Sequence, residues 1–325
     1  MDVAMRGGRR SQAASGSRRV IYAGIAGNVL VTITKFAAAA VTHSAAMLSE
    51  AVHSLVDTFN DALMLYGLKR AERPPTKDNP LGHGREVYFW AFVVSVLIFL
   101  LGAGVSIWQG IEHVLDPPEI DRPLVSYVVL GLAAVFEGGS WWIAMREFRR
   151  RKGEKGYVEA AQATKDPSTL LLLLEDSAAL VGIAIAFTGI FLAQLLDEPR
   201  FDGAASIAIG VVLAGVALFL ARESKKLLIG EAAHTDLRAS VRELADDQDG
   251  VSKCNGMLTF QLGPDTVAIA LSAVFEAELK AREIERVVEK LEERIRAKHP
   301  EVVLLVVKPQ STRAWNAARR RLGLR

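Results

Sequence analysis

Two places in this chain put chemically able side chains where apolar residues would be expected. In the run Ser49-Glu50-Ala51-Val52-His53-Ser54-Leu55-Val56-Asp57-Thr58-Phe59-Asn60-Asp61, the residues His53, Asp57 and Asp61 recur every four positions. On a helix that spacing lines them along one stripe. A second run carries Glu175-Asp176 directly after the leucines of 170–174. A neutral imidazole and a carboxylate one turn apart can ligate the same divalent ion, and the acidic pair can complete a site of one nitrogen and two or three oxygens. Such a mixed set suits zinc, and also manganese, cobalt, iron(II) or cadmium, whereas oxygen ligands alone would favour magnesium or calcium. Asp61 lies one turn beyond the pair and reads better as a vestibule charge than as a ligand. The competing reading is a polar stripe that only joins helices, or that pairs with Lys35.

The elements that must hold these residues emerge from charge distribution rather than from totals. The chain has 325 residues, 39 basic and 37 acidic side chains, a net charge of +2 and one cysteine, Cys254. These averages exclude a disordered chain, a disulfide scaffold and a multi-cysteine metal cluster, and give no reason to expect nucleic acid as a partner. Yet the stretches 20–42, 44–66, 88–110, 124–144, 168–195 and 203–221 contain only Lys35, Glu50, Asp57, Asp61, Glu137, Glu175 and Asp176 as charged residues. Each is long enough for a helix across a hydrocarbon layer of ~30 Å. Six transmembrane helices are expected. The basic residues cluster in alternate connections: Arg6 to Arg19, Lys69 to Arg85, and Arg146 to Lys165, against Arg122 and Arg200 on the other side. That bias predicts a multi-pass protein with both termini in the cytoplasm, of bacterial inner-membrane type, with no cleavable signal.

The expected organisation is a basic N-terminal tail over 1–19, a transport domain over 20–226, a cytoplasmic α+β domain over 227–310 and a basic tail over 311–325. In the third part a polar helix is expected around Thr235 to Asp247, then strands over 257–262 and 267–275 about the turn Gly263-Pro264-Asp265. A helix bearing Ile284, Val287, Val288, Leu291 and Ile295 and a last strand over 301–307 complete an αββαβ, ferredoxin-like order. The tail from Arg313, with Trp315 and Arg319 to Arg321, reads as a solvated segment or one that touches a membrane surface. Within the spans, Asn28 is expected to pack helices, Lys35 to pair with an inward carboxylate, Glu137 to relay protons or pair structurally, and Asp202 to cap a helix or guard an entrance. An intramembrane hydrolase is disfavoured for want of a separate general base, and no Gly-x-x-x-x-Gly-Lys phosphate loop is present.

Several segments together resemble the cation diffusion facilitator family, over roughly residues 18 to 310. They are Leu48 to Asp57, the loop Pro80-Leu81-Gly82-His83-Gly84-Arg85, and Asp202 with Ala205-Ser206 and Gly210. The Glu175-Asp176 pair and Glu137-Gly138 look most like its zinc transporter nine-like branch. The resemblance implies a homodimer, joined through the C-terminal domain, that exports a divalent cation in exchange for protons by alternating access. It needs no cofactor, the metal being cargo. It places metal ligands at His53, Asp57 and Asp176, which would also couple protons. The family's remaining histidine position falls on Leu172, so Glu175 or water is the candidate fourth ligand. Of the loop site only His83 matches, with Asp78 beside it, and the C-terminal domain is expected to sense metal weakly or not at all. Alternatives are a manganese, iron(II) or cobalt exporter using the same residues, and a membrane scaffold that no longer transports.

Overall fold

In the computed structural model, residues 28–118, 122–152, 156 and 167–323 are described. The N-terminal tail and the first part of the first expected span lie outside them. Two compact units are present: the first holds the membrane-type helices as far as Glu223, and the second holds Leu68–Phe89 and the chain from Ser224 on.

In the first unit, α1 (Asn28–Thr42) and α2 (Ala45–Ala71) are joined by His43-Ser44 alone, with His43 at φ 54° making the reversal. Then come α3 (Glu86–Leu115), α4 (Pro123–Lys152), α5 (Pro167–Leu195) and α6 (Arg200–Ile229). Helices α4 and α5 begin at prolines, whose missing N–H costs nothing in a first turn. Within α3, Ile98–Ala103 winds as a π-helix.

Among the described residues, four helices, α3 to α6, are long and apolar enough to cross a membrane. The sequence suggests six. Helix α2 has the length, 27 residues. Glu50, His53, Asp57, Asn60 and Asp61 make it too polar to stand beside the others, although most of them turn inward. Only Asn28–Thr42 of the first expected span is described, an apolar helix shorter than a span.

Small residues set the packing. A Cβ on Gly110 of α3 would lie 2.6 Å from the Gly203 carbonyl oxygen of α6, and one on Gly203 would lie 2.8 Å from the Gly110 oxygen. One turn along, the Ser206 hydroxyl donates to the Ser106 carbonyl at 2.7 Å, and Gly210 faces Ile107. These backbones touch in the manner of small-residue membrane interfaces. Helices α4 and α5 are tied by Trp141 Nε1 donating to Ser177 Oγ at 2.9 Å.

Described by itself, the second unit contains α7 (Thr235–Asp246), β1 (Val251–Gly263), β2 (Thr266–Phe275), α8 (Ala281–Lys298), β3 (Val302–Pro309) and α9 (Thr312–Arg321). The sheet order is β1-β2-β3; β1 and β2 form an antiparallel hairpin, and β2 and β3 are parallel with α8 as the crossover. The αββαβ order expected from sequence is thus present. Leu237, Val241 and Ala245 of α7 and Leu291 and Ile295 of α8 close over Ile269, Leu271 and Ala273 of the sheet.

Two differences from the sequence reading stand out. Strand β1 begins at Val251, six residues before Met257, because register shifts at Val251/Lys253 and Cys254/Gly256 break the alternation that marks a strand. The basic tail is also helical, not merely solvated, over Thr312–Arg321. Ser311 caps it by accepting from the Ala314 amide at 3.3 Å, and Trp315 lies against Gly256.

Candidate metal site

Helix α2 carries the site, and the long-range contact that fixes its start is made by Asp202. That carboxylate on α6 accepts from the Ser44 hydroxyl and from the amides of Ala45 and Ala46. The first turn of α2 has no acidic residue of its own, so Asp202 satisfies its free N–H groups from another helix. Asp202 is therefore a cap, but for a helix other than the one it belongs to.

Nine residues further on, His53 is 2% exposed and Asp57 is partly buried, with His53 Nδ1 3.4 Å from Asp57 Oδ1. That distance and geometry do not make a hydrogen bond. Neither ring nitrogen of His53, nor Asp57 Oδ1, has a hydrogen-bond partner. Buried polar atoms seldom remain unsatisfied unless a bound species completes them.

Asp57 opens into a cavity of about 310 Å³ that is also lined by Asp61, Glu137, Glu175 and Asp176, with Asn28, Ser54, Ser140 and Leu172 among its other walls. Carboxylates from α2, α4 and α5 thus meet one space. Each of three is steadied by a polar neighbour: Asn28 donates to Asp61 at 2.9 Å, Asn60 to Glu175 at 2.6 Å, and Ser140 to Asp176 at 2.8 Å. Those partners were not foreseen for Glu175 and Asp176. Asn60 lies between the expected ligand and Asp61, and Ser140 lies three residues after Glu137, so helical spacing offered a signal in both cases.

One buried cation balances this acid. Lys35, fully buried on α1, donates to Glu50 Oε2 at 3.1 Å and to Ser54 Oγ at 2.8 Å. The inward partner expected for Lys35 is thus Glu50. Leu172 presents an apolar wall to the cavity. Among the described residues, no group of three or more histidine, cysteine, aspartate or glutamate side chains is arranged to hold a metal ion. His53 and Asp57 are brought together, Asp61, Glu175 and Asp176 share the cavity with Asp57, and His83 belongs to the second unit. His83 lies in the loop before α3, where its Nδ1 is buried without a hydrogen-bond partner and Gly84 packs on the Leu262 carbonyl.

Residues 21–229 match the model of the cation efflux transmembrane domain. The chain belongs to the cation efflux, or cation diffusion facilitator, family and is a multi-pass membrane protein. It is similar to the proton-coupled zinc antiporter SLC30A9, mitochondrial, of Homo sapiens, at 31% identity over 84% of this chain and 49% of the relative. It is similar also to metal tolerance protein C4 of Arabidopsis thaliana, at 30% identity over 66% of this chain and 48% of that one. Mitochondrial metal transporter 2 of Saccharomyces cerevisiae matches over a shorter stretch, 33% identical across 30% of this chain and 20% of its own length. The chain spans about half the length of the first two relatives.

Proposed function

We propose that the protein exports a divalent cation, zinc first, in exchange for protons, with His53, Asp57 and Asp176 as ligands and Glu175 as the fourth. The observation that carries this reading is the orphaned lone pairs of His53 and Asp57 beside a cavity walled by carboxylates of three helices. The names of the human and plant relatives agree with it.

Metal ligation needs a neutral imidazole and ionised carboxylates, so a proton and a metal ion compete for the same lone pairs. A cation entering the cavity meets Asp61 first and exchanges water for Asp57 and Asp176. Ser140 and Asn60 hold the α5 carboxylates until the helices shift and bring them to the ion. Protons arriving on the far side then displace the metal, and the protonated site returns. An inward proton gradient drives net export, with no nucleotide required. This cycle uses six spans, α1 and α2 completing the four apolar ones, with both termini on the side of the basic connections in an energised membrane. The C-terminal α+β domain joins two copies.

The deciding experiment is zinc flux in proteoliposomes under an imposed pH gradient. Flux that depends on the gradient and disappears in His53→Ala supports the exporter. A silent wild type points instead to a scaffold with a degenerate site, and a His53→Ala variant that transports normally removes His53 from the ligand set. Leu172 favours one second reading, because a wall without imidazole lowers the preference for zinc and admits manganese, iron(II) or cobalt. The same vesicles loaded with each metal in turn decide between them.

A further inference from the structure

The second unit contains a cleft that metal transport does not use. It has a volume of about 430 Å³, is walled by residues 255–260 of β1, and receives Arg238 and Arg242 from α7 and Trp315 and Arg319 from α9. Each pair is spaced i, i+4, so each helix turns one face toward the same space. Among the described residues, no aspartate or glutamate lines it. The Arg238 guanidinium donates a long hydrogen bond, 3.4 Å, to the Thr235 hydroxyl three residues earlier.

The wall is built to admit the aromatic ring. Gly256 has φ +148°, and a Cβ there would lie 2.9 Å from the Trp315 ring, so this strand position must be glycine for α9 to lie where it does. The helix that brings Trp315 and Arg319 is itself fixed by the Ser311 cap and by Thr312 donating to Asn255 at 2.8 Å. Asn255 in turn donates to the Gln310 carbonyl at 2.8 Å. The cleft is thus a constructed feature of the fold, of the size in which small ligands bind.

We propose that this cleft binds a phosphate group, with the guanidiniums of Arg238 and Arg242 forked onto its oxygens and Trp315 covering the organic part of the ester. Guanidinium forks match phosphate geometry, and several of them facing one space favour a dianion over a monocarboxylate. A free phosphate ester and a phospholipid headgroup share this chemistry.

The test is calorimetric titration of the full chain in neutral detergent with inorganic phosphate, glycerol phosphate, dihexanoyl phosphatidic acid and acetate. Phosphate and its esters are expected to bind and acetate to bind at least tenfold more weakly. R238A/R242A should weaken phosphate by roughly a hundredfold, about tenfold per guanidinium lost, while the paired lysine substitutions retain part of the affinity and the same thermal midpoint. Phosphatidic acid binding tenfold tighter than glycerol phosphate identifies a lipid headgroup; equal affinities identify a soluble ester. Absence of phosphate binding, equal binding of acetate, or unchanged affinity in R238A/R242A overturns the proposal. Metal flux is not a readout, so the result stands apart from the transport reading.

Discussion

Lys35 and Glu50 form an ion pair of 3.1 Å between α1 and α2 with neither side chain exposed. Ser54 Oγ accepts a second hydrogen bond from the ammonium, at 2.8 Å, and Ser54 stands next to His53 in the chain. Glu50 Oε1 remains without a hydrogen-bond partner and presses against Gly182 of α5. Three helices that carry or border the proposed metal site therefore meet at one charge pair.

Removing one partner leaves the other charge buried and alone, which costs about 3–5 kcal/mol. Lys35→Met should lower the thermal midpoint of the detergent-purified protein sharply. Lys35→Met combined with Glu50→Gln should recover most of that loss, because the orphaned carboxylate is then neutral. An unchanged midpoint in Lys35→Met would show that the pair contributes nothing.

The contact between Gly110 and Gly203 predicts a contrast between two glycine substitutions. Gly110→Ala forces a Cβ to within 2.6 Å of a backbone oxygen, and should destabilise by about 1–3 kcal/mol as overpacking does. Gly131→Ala, on α4, has nothing within 4 Å of the new methyl, and should gain up to about 1 kcal/mol from the lower entropy cost of alanine in a helix. Thermal unfolding of the two variants side by side checks the prediction, and equal shifts refute it.

Zinc affinity should fall as the pH is lowered. The proposed ligand atoms of His53, Asp57 and Asp176 would bind metal only when deprotonated, so every proton released on binding steepens the dependence by about tenfold per pH unit. Isothermal titration with zinc across a pH series measures the slope, and repetition in buffers of different ionisation enthalpy counts the protons. Asp57→Asn should flatten the slope as well as weaken binding; an unaltered slope would remove Asp57 from the ligand set.

Cys254 should be inert in the folded protein. The side chain is 4% exposed, and burial together with the nearby Asp246 carboxylate pushes its thiol above the usual range. The thiolate fraction at neutral pH is correspondingly smaller than for a free cysteine. Maleimide labelling followed by mass spectrometry should be slow at pH 7.5 and complete only after unfolding. Fast labelling of the native chain would contradict the packing of β1 under α7.

Periodicity alone exposed the stripe of His53, Asp57 and Asp61, because an apolar helix makes every charge conspicuous. The same contrast pointed to Lys35 as a buried cation in need of an acid. Which acid it takes was hidden: Glu50, Asp57, Glu137 and Asp176 all lay inside spans, and only the pitch of α1 against α2 selects Glu50. Asp202 illustrates a different blindness. Its place at the start of α6 suggested a cap there, while its partners Ser44 and Ala45 stand far earlier in the chain and become neighbours only after folding. The C-terminal domain was legible as αββαβ from strand alternation and the Gly263-Pro264-Asp265 turn. Its first strand ran further back than alternation revealed because bulges mask the period. Helix α9 was hidden for want of any apolar repeat; a cap and one tryptophan on a glycine hold it instead.

The glycine contact between α3 and α6 also limits how the membrane unit can work. Where two backbones meet this closely, with Ile107 and Ile207 packed beside the glycines, sliding by half a turn would bring carbonyl oxygens against Cα atoms. Contact of this kind favours α3 and α6 moving together. On the proposed transport cycle, the rearrangement falls to the helices that line the acidic cavity, turning against the frame that α3 and α6 form.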